Sequence, residues 1–221
     1  MEQKHWSAVD DFLVRKLVKP DAALDQALAD SDRGGLPAIN VSPCQGKLLN
    51  LVARMIGAQR ILEIGNLGGY STIWLARALP PSGRLVTLEF SQKHADIARA
   101  NIDRAGLLDR VDIRVGRALE TLPALARESS EPFDLIFVDA DKESNREYLG
   151  WAVKLARPGS VIITDNVVRD GKVVDEASRD PMVVGTRRFL DALAAEPGIS
   201  ATAIQTVGSK GWDGFTIAVV E

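Results

Sequence analysis

From residue 60 onward, short apolar runs alternate with stretches of helical spacing. The runs are RILEIG (60–65), RLVTLEF (84–90), VDIRVG (111–116), FDLIFVD (133–139) and SVIITD (160–165). Between them stand STIWLARAL, SQKHADIARANIDRAG, ALETLPALARES and NREYLGWAVKLA, whose apolar residues recur at helical intervals. This alternation predicts an α/β fold with a parallel sheet covered by helices on both faces. A helix around Thr186–Ala195 follows, and then SATAIQTV and FTIAVVE, which flank the loop GSKGWDG as an antiparallel hairpin.

The preceding segment reads as helices. Trp6, Val9, Phe12, Leu13 and Leu17 share a helical face before Pro20, and DAALDQALAD continues in the same manner. The loop SDRGGLPAINV leads to Ser42, an N-cap with Pro43 at the first helical position, and the helix PCQGKLLNLVARMIG closes at Gly57. The expected organisation is one domain over residues 1–221, with helices in 1–57 and the α/β core in 58–221.

Composition narrows the function classes. A formal charge of −3 gives no general basic field, which weighs against nucleic acid as a partner. The single cysteine, Cys44, excludes an internal disulfide framework and any multi-cysteine metal site. The opening MEQKHWSAVDDFLVRKL has no continuous apolar core, so it does not read as a signal peptide, and no run approaches a membrane span. The expectation is a soluble, cytoplasmic protein with no membrane partner.

The loop LEIGNLGGYS (62–71) follows the first strand and has the look of a nucleotide grip. The dinucleotide fingerprint G-x-G-x-x-G fails, because Leu67 and Tyr70 stand where its second and third glycines belong. The phosphate loop fails as well: Gly46-Lys47 is followed by Leu48, and Val41 replaces its first glycine. Glu63 would repel a pyrophosphate and attract an ammonium group. Glu89, at the end of the second strand, can accept hydrogen bonds from both ribose hydroxyls. A nucleoside carrying an amino acid and no phosphate satisfies both carboxylates. S-adenosylmethionine (SAM) is such a molecule.

A second cluster lies past the fourth and fifth strands. FVDADKES places Asp139, Asp141 and Lys142 there, and IITDNVV places Asp165 and Asn166. Ligands of open α/β sheets bind beyond the carboxyl ends of strands. Asp139, Asp165 and Asn166 supply only oxygen, which suits a hard divalent cation such as Mg²⁺. His5 and His94 lie in unrelated segments, against a histidine-rich zinc site. Taken singly, each acid reads equally as a helix cap or a solvated strand end, and Lys142 as a surface lysine. Partly buried beside a dication, Lys142 would instead serve as a base.

INVSPCQGKLL, LEIGNLGGYSTIWLA, VTLE, FVDADK, TDNVVRDG and DGFTIAVV together resemble the cation-dependent O-methyltransferases, the catechol and caffeoyl-CoA enzymes and their bacterial relatives. The resemblance runs from about Leu36 to the carboxyl terminus. It implies a class I SAM-methyltransferase fold, Rossmann-like, with seven mostly parallel strands and one antiparallel strand in the last hairpin. It implies SAM and a divalent cation (Mg²⁺, with Mn²⁺ or Ca²⁺ as substitutes) that chelates two neighbouring phenolic oxygens. By the same resemblance, Asp139, Asp165 and Asn166 match the metal ligands. Val41, Glu63, Gly65, Ser71, Glu89, Ala118 and Asp141 match positions that contact SAM. Lys142 matches the general base, Asp170 falls near the substrate-contacting loop, and the family favours a homodimer. Departures are Asn66, where relatives often carry threonine; Arg117, where an acidic or small residue is common; and Ser209-Lys210, where animal catechol enzymes carry a carboxylate.

The expected reaction is transfer of a methyl group from SAM to a hydroxyl of a small catechol-type phenolic acceptor, with Lys142 accepting the proton. Rival readings are a methyltransferase acting on nucleic acid or a CoA ester, a nicotinamide oxidoreductase, and a non-catalytic SAM-binding protein. The asparagine–proline–proline–aromatic motif of amino-methylating enzymes is absent, the glycine order opposes a dinucleotide, and no dense basic cluster announces a site for CoA phosphates.

Overall fold

The computed structural model describes residues 2–128 and 131–221. Three helices open the chain: α1 (Glu2–Leu17), α2 (Ala22–Arg33) and α3 (Pro43–Met55). The core then runs β1 (Arg60–Ile64), α4 (Tyr70–Ala76), β2 (Arg84–Glu89), α5 (Gln92–Arg104), β3 (Val111–Val115), α6 (Ala118–Glu128), β4 (Leu135–Val138), α7 (Asn145–Leu155), β5 (Val161–Asp165), α8 (Pro181–Ala195), β6 (Ile199–Gly208) and β7 (Gly211–Val220). Ser129, expected to end α6, lies outside the described residues.

The strands form one seven-stranded sheet in the order β3-β2-β1-β4-β5-β7-β6. All neighbours are parallel until β7, which lies antiparallel to both β5 and β6. The expected mixed sheet is therefore present.

Alternation along the strands sorts the core into two layers. Ile61, Leu85, Leu135, Phe137 and Ile163 point to the face covered by α2, α3, α4 and α5. Leu62, Ile64, Val86, Ile136, Val138 and Ile162 point to the other face, under α6, α7 and α8. Burial on both faces explains why these strands read as continuous apolar runs.

Local signals set most boundaries. Ser42 Oγ accepts the Gln45 N–H with Pro43 behind it, and Asp21 caps α2 by accepting from the N–H groups of Ala23 and Leu24. Two expectations need correction. α8 begins at Pro181, five residues before the expected Thr186, because Asp180 accepts the Met182 N–H and Pro181 fits the first turn. The loop GSKGWDG shrinks to a two-residue turn: Gly208 pairs with Gly211, and Trp212 and Asp213 belong to β7. Gly211, at φ +96°, supplies the backbone conformation that this tight turn requires.

Candidate functional site

The chain leaves β1 toward β2 on one flank and returns to β4 on the other. Ligands of open sheets settle at such a reversal, outside the strand ends. A cavity of about 900 Å³ lies there.

The loop after β1 forms its floor. Gly65 has φ +100°, and a Cβ there would collide with the main-chain carbonyl of Asp139. The loop thus rests directly on the end of β4. The Glu89 carboxylate pins it from the other side. Its Oε2 accepts from the N–H groups of Asn66 (3.2 Å) and Leu67 (2.8 Å), and its Oε1 accepts from the Ser91 N–H (2.9 Å). His94 Nδ1 stands 3.3 Å from the same Oε1. Glu89 lines the cavity, yet much of its accepting capacity is already committed to the loop.

Glu63 departs from expectation. It lies inside β1 and fully buried, and it does not line the cavity. Ser71, Thr72 and Thr87 hydroxyls donate to its carboxylate at 2.6, 2.5 and 2.7 Å. Burial pushes its carboxyl up to about 7, against the pull of those three donors. It therefore touches the cavity only through Ser71, whose side chain is at the wall. Asn66 is turned the same way: its Nδ2 donates to Thr72 and Thr87 Oγ1 at 2.8 and 3.1 Å. The far rim carries Ala118, Phe90 and Arg117, the guanidinium lying 5.3 Å from the Phe90 ring centre. The arginine departure is thus absorbed by stacking.

The acidic cluster assembles as its spacing suggests. Asp139 follows β4, and Asp165 ends β5, the adjacent strand. Lys142, only 3% exposed, donates from Nζ to Asp139 Oδ1 at 3.0 Å. Asp165 Oδ1 accepts the Asn166 N–H at 2.9 Å, and Asn166 holds a left-handed backbone at φ +61°. Burial, then the charge of nearby Asp139, pushes the Asp165 carboxyl up to about 7. Two acids thus share a buried corner with one ammonium, an environment that a hard dication would relieve. The donor set fits such an ion: two carboxylates and an amide. Among the described residues, no group of three or more His, Cys, Asp and Glu side chains converges on a metal site. Asp141, by contrast, is held apart by the Tyr148 hydroxyl, which donates to its Oδ1 at 2.5 Å.

A smaller cavity of about 290 Å³ opens beyond Asn166. Of the residues singled out from sequence, Val41, Gly65, Ser71, Glu89, Ala118, Asp139, Asp141 and Lys142 line the larger cavity. Asp165 and Asp170 line the smaller one, while Val41 and Asn166 line both and Glu63 neither. Sequence reasoning missed His94, Tyr148 and Arg169, which also face the larger space. Tyr148 lies seven residues beyond Asp141, near the start of α7. Arg169 had no local signal.

Comparison with known proteins gives a consistent picture. A family model described as "O-methyltransferase" matches residues 16–219. The chain is 57% identical to a catechol O-methyltransferase of Mycobacterium tuberculosis, over 96% of this chain and 94% of the relative. It is 50% identical to a catechol O-methyltransferase of Niastella koreensis over the full length of both. The solved structure of an O-methyltransferase from Bacillus cereus in complex with SAH superposes with a TM-score of 0.98 at 57% identity, covering 99% of this chain and 100% of that one.

Proposed function

The chain belongs to the O-methyltransferase family, and on that premise we propose that it moves a methyl group from SAM to one hydroxyl of a vicinal dihydroxy-aromatic acceptor held by a divalent cation. The observation that carries the cation and the acceptor together is the oxygen-only corner of Asp139, Asp165 and Asn166, set at the meeting of two cavities. Two relatives named for catechol methylation support the acceptor class.

When bound, SAM supplies the activated methyl group, and Mg²⁺ (or Mn²⁺ or Ca²⁺) on Asp139, Asp165 and Asn166 acidifies the acceptor hydroxyl. The chain's own groups do the rest. Glu89 offers its remaining acceptor positions to ribose hydroxyls. Gly65 leaves room beside the loop, Ser71 and Val41 border the amino-acid end, and Ala118 and Asp141 border the nucleoside end. Glu63 orients Ser71 from below. In its neutral form, beside a bound cation, Lys142 would accept the acceptor's proton at Nζ, and Asp139 alongside would stabilise the resulting ammonium. Asp170 borders the outer part of the acceptor space.

Incubating purified protein with SAM and Mg²⁺ tests this, using catechols beside matched mono-phenols. Methylated product is expected from catechols alone, and its formation should stop in excess EDTA. Turnover of mono-phenols at the same rate, or full activity after verified metal removal, overturns the proposal.

The partner is proposed to be a second copy of the chain. α1 leaves Val9 and Phe12 46% and 52% exposed beside β6, whose Ile204 and Val207 are exposed too. Light scattering that reads a monomer at micromolar concentration would refute it.

A further inference from the structure

A carboxylate accepts hydrogen bonds at about four lone-pair positions. Backbone N–H groups take three of those on Glu89: Asn66 and Leu67 at Oε2, and Ser91 at Oε1. What remains for a ligand lies on Oε1. An ionised Glu89 also accepts only, whereas each ribose hydroxyl both donates and accepts. A ribose diol held by Glu89 alone would leave its oxygen lone pairs unpartnered, a cost that grows as the site closes to water. The nucleoside end of the cavity therefore needs a donor beside Oε1.

His94 stands in that place. Its Nδ1 lies 3.3 Å from Oε1, and its ring lines the larger cavity with the side chain 26% exposed. Facing a carboxylate, Nδ1 carries the ring proton. Among the described residues the ring has no other polar partner. Its backbone is fixed, because Ser91 caps α5 by accepting the His94 N–H, and Ala95 and Ala98 bury the helix behind it. Neighbouring donors on the cavity wall are engaged elsewhere. Ser71 donates to Glu63, and the Asn66 amide donates to Thr72 and Thr87. Arg117 is the other open donor, and it stacks on Phe90 at the far rim.

We propose that His94 is the second ribose ligand of the cofactor: one hydroxyl of the diol donates to Glu89 Oε1, and His94 Nδ1–H donates to a diol oxygen. The inference rests on the assignment of Glu89 to ribose above and supplies the donor which that assignment lacks. An acceptor and a donor set side by side recognise the diol and select against nucleosides that lack a hydroxyl.

Calorimetry on the whole chain, without metal or acceptor, tests this with SAH, its 2′-deoxy analogue and its 3′-deoxy analogue. The native protein is expected to bind at least one deoxy analogue about tenfold or more weakly than SAH, through loss of a charge-assisted bond. In His94→Phe, which keeps a flat ring, SAH affinity should fall about three- to tenfold, and that analogue's penalty should shrink by the same factor. His94→Asn, whose amide N–H falls near the place of Nδ1, should restore part of both. A penalty that keeps its native size in His94→Phe, whether or not SAH affinity falls, means that the ring only packs; it overturns the inference and leaves Glu89 on the ribose. A penalty lost in Arg117→Met and kept in His94→Phe assigns the donor to the arginine and overturns it equally. If the native protein penalises neither analogue, the ribose assignment of Glu89 falls and this inference with it.

Discussion

α1 runs for sixteen residues and buries none of them, while α4 runs for seven and buries every one. An isolated seven-residue helix is not stable in water, so α4 exists only through packing. Asn50 Nδ2 donates to the Trp74 carbonyl at 2.9 Å, and a Cβ at Gly46 would strike the Trp74 ring. At its other end Asn101 Nδ2 fixes the Gly68 carbonyl at 2.9 Å. α4 is thus wedged beneath the loop that floors the larger cavity. α1 is joined to the hairpin by a few polar contacts, chiefly Gln3 to the Gly208 carbonyl and the Ser209 N–H to Asp10. Burial is concentrated under the site, and the apolar face left outside is the one proposed to meet a second copy.

The contrast breaks most visibly at Gly65. Gly65→Val would force a β-branched residue into φ +100° against the Asp139 carbonyl, costing roughly 3 kcal/mol or more. Thermal unfolding should shift sharply downward, and calorimetry should detect no SAM binding. A native melting curve with intact SAM affinity would show that the loop does not need its rigid support.

Glu89→Ala comes next. Beyond the ribose contacts expected from sequence, the Asn66, Leu67 and Ser91 N–H groups lose their acceptor too. Roughly 2 kcal/mol of stability should go, along with at least about a tenfold loss in SAM affinity. Urea unfolding and calorimetry on the same preparation separate the two effects, and unchanged SAM affinity would remove Glu89 from the nucleoside site.

Glu63 sharpens the picture through pH. Its folded value of about 7 lies above the ordinary 4.5, so between these values the folded state holds the extra proton. The native protein should therefore lose stability relative to Glu63→Gln as pH rises from about 4.5 to 7, and level off above that, on the order of a few kcal/mol in total. Parallel stability curves for the two proteins would contradict the buried-carboxylate account.

The smallest effect belongs to α1. Phe12→Ser should leave unfolding of the dilute protein within about 0.5 kcal/mol of native, because the ring is half exposed. Sedimentation should nevertheless show weaker self-association. A loss above about 2 kcal/mol in dilute protein would erase the distinction between the two helices.

Much of this was legible in the chain. Continuous apolar runs gave the buried strands, and strand-end acids in DADK and TDN gave the oxygen corner, because neighbouring parallel strands bring their carboxyl ends together. Other features escaped local reading. The hydroxyls that meet Glu63 come from eight, nine and twenty-four residues away, so its role as a buried hub has no periodic trace. Arg169 is placed by an Asp213 carboxylate 44 residues downstream, which accepts its backbone N–H. The start of α8 is marked in the sequence by Asp180-Pro181, a capping acid followed by a first-turn proline. The glycines of GSKGWDG suggested a loop, although two of them serve only to tighten a turn.

The seam between α1 and the hairpin has a consequence for synthesis. Gln3 meets Gly208, and Asp10 meets Ser209, so the two sides of the seam are separated by about two hundred residues of chain. At ribosomal rates of roughly 5–20 residues per second, α1 waits on the order of 10–40 s before its docking strand leaves the exit tunnel. Throughout that interval its apolar stripe lacks its docking strand, while α4 and the loop above it can already pack. The first helix made is therefore among the last to find its place.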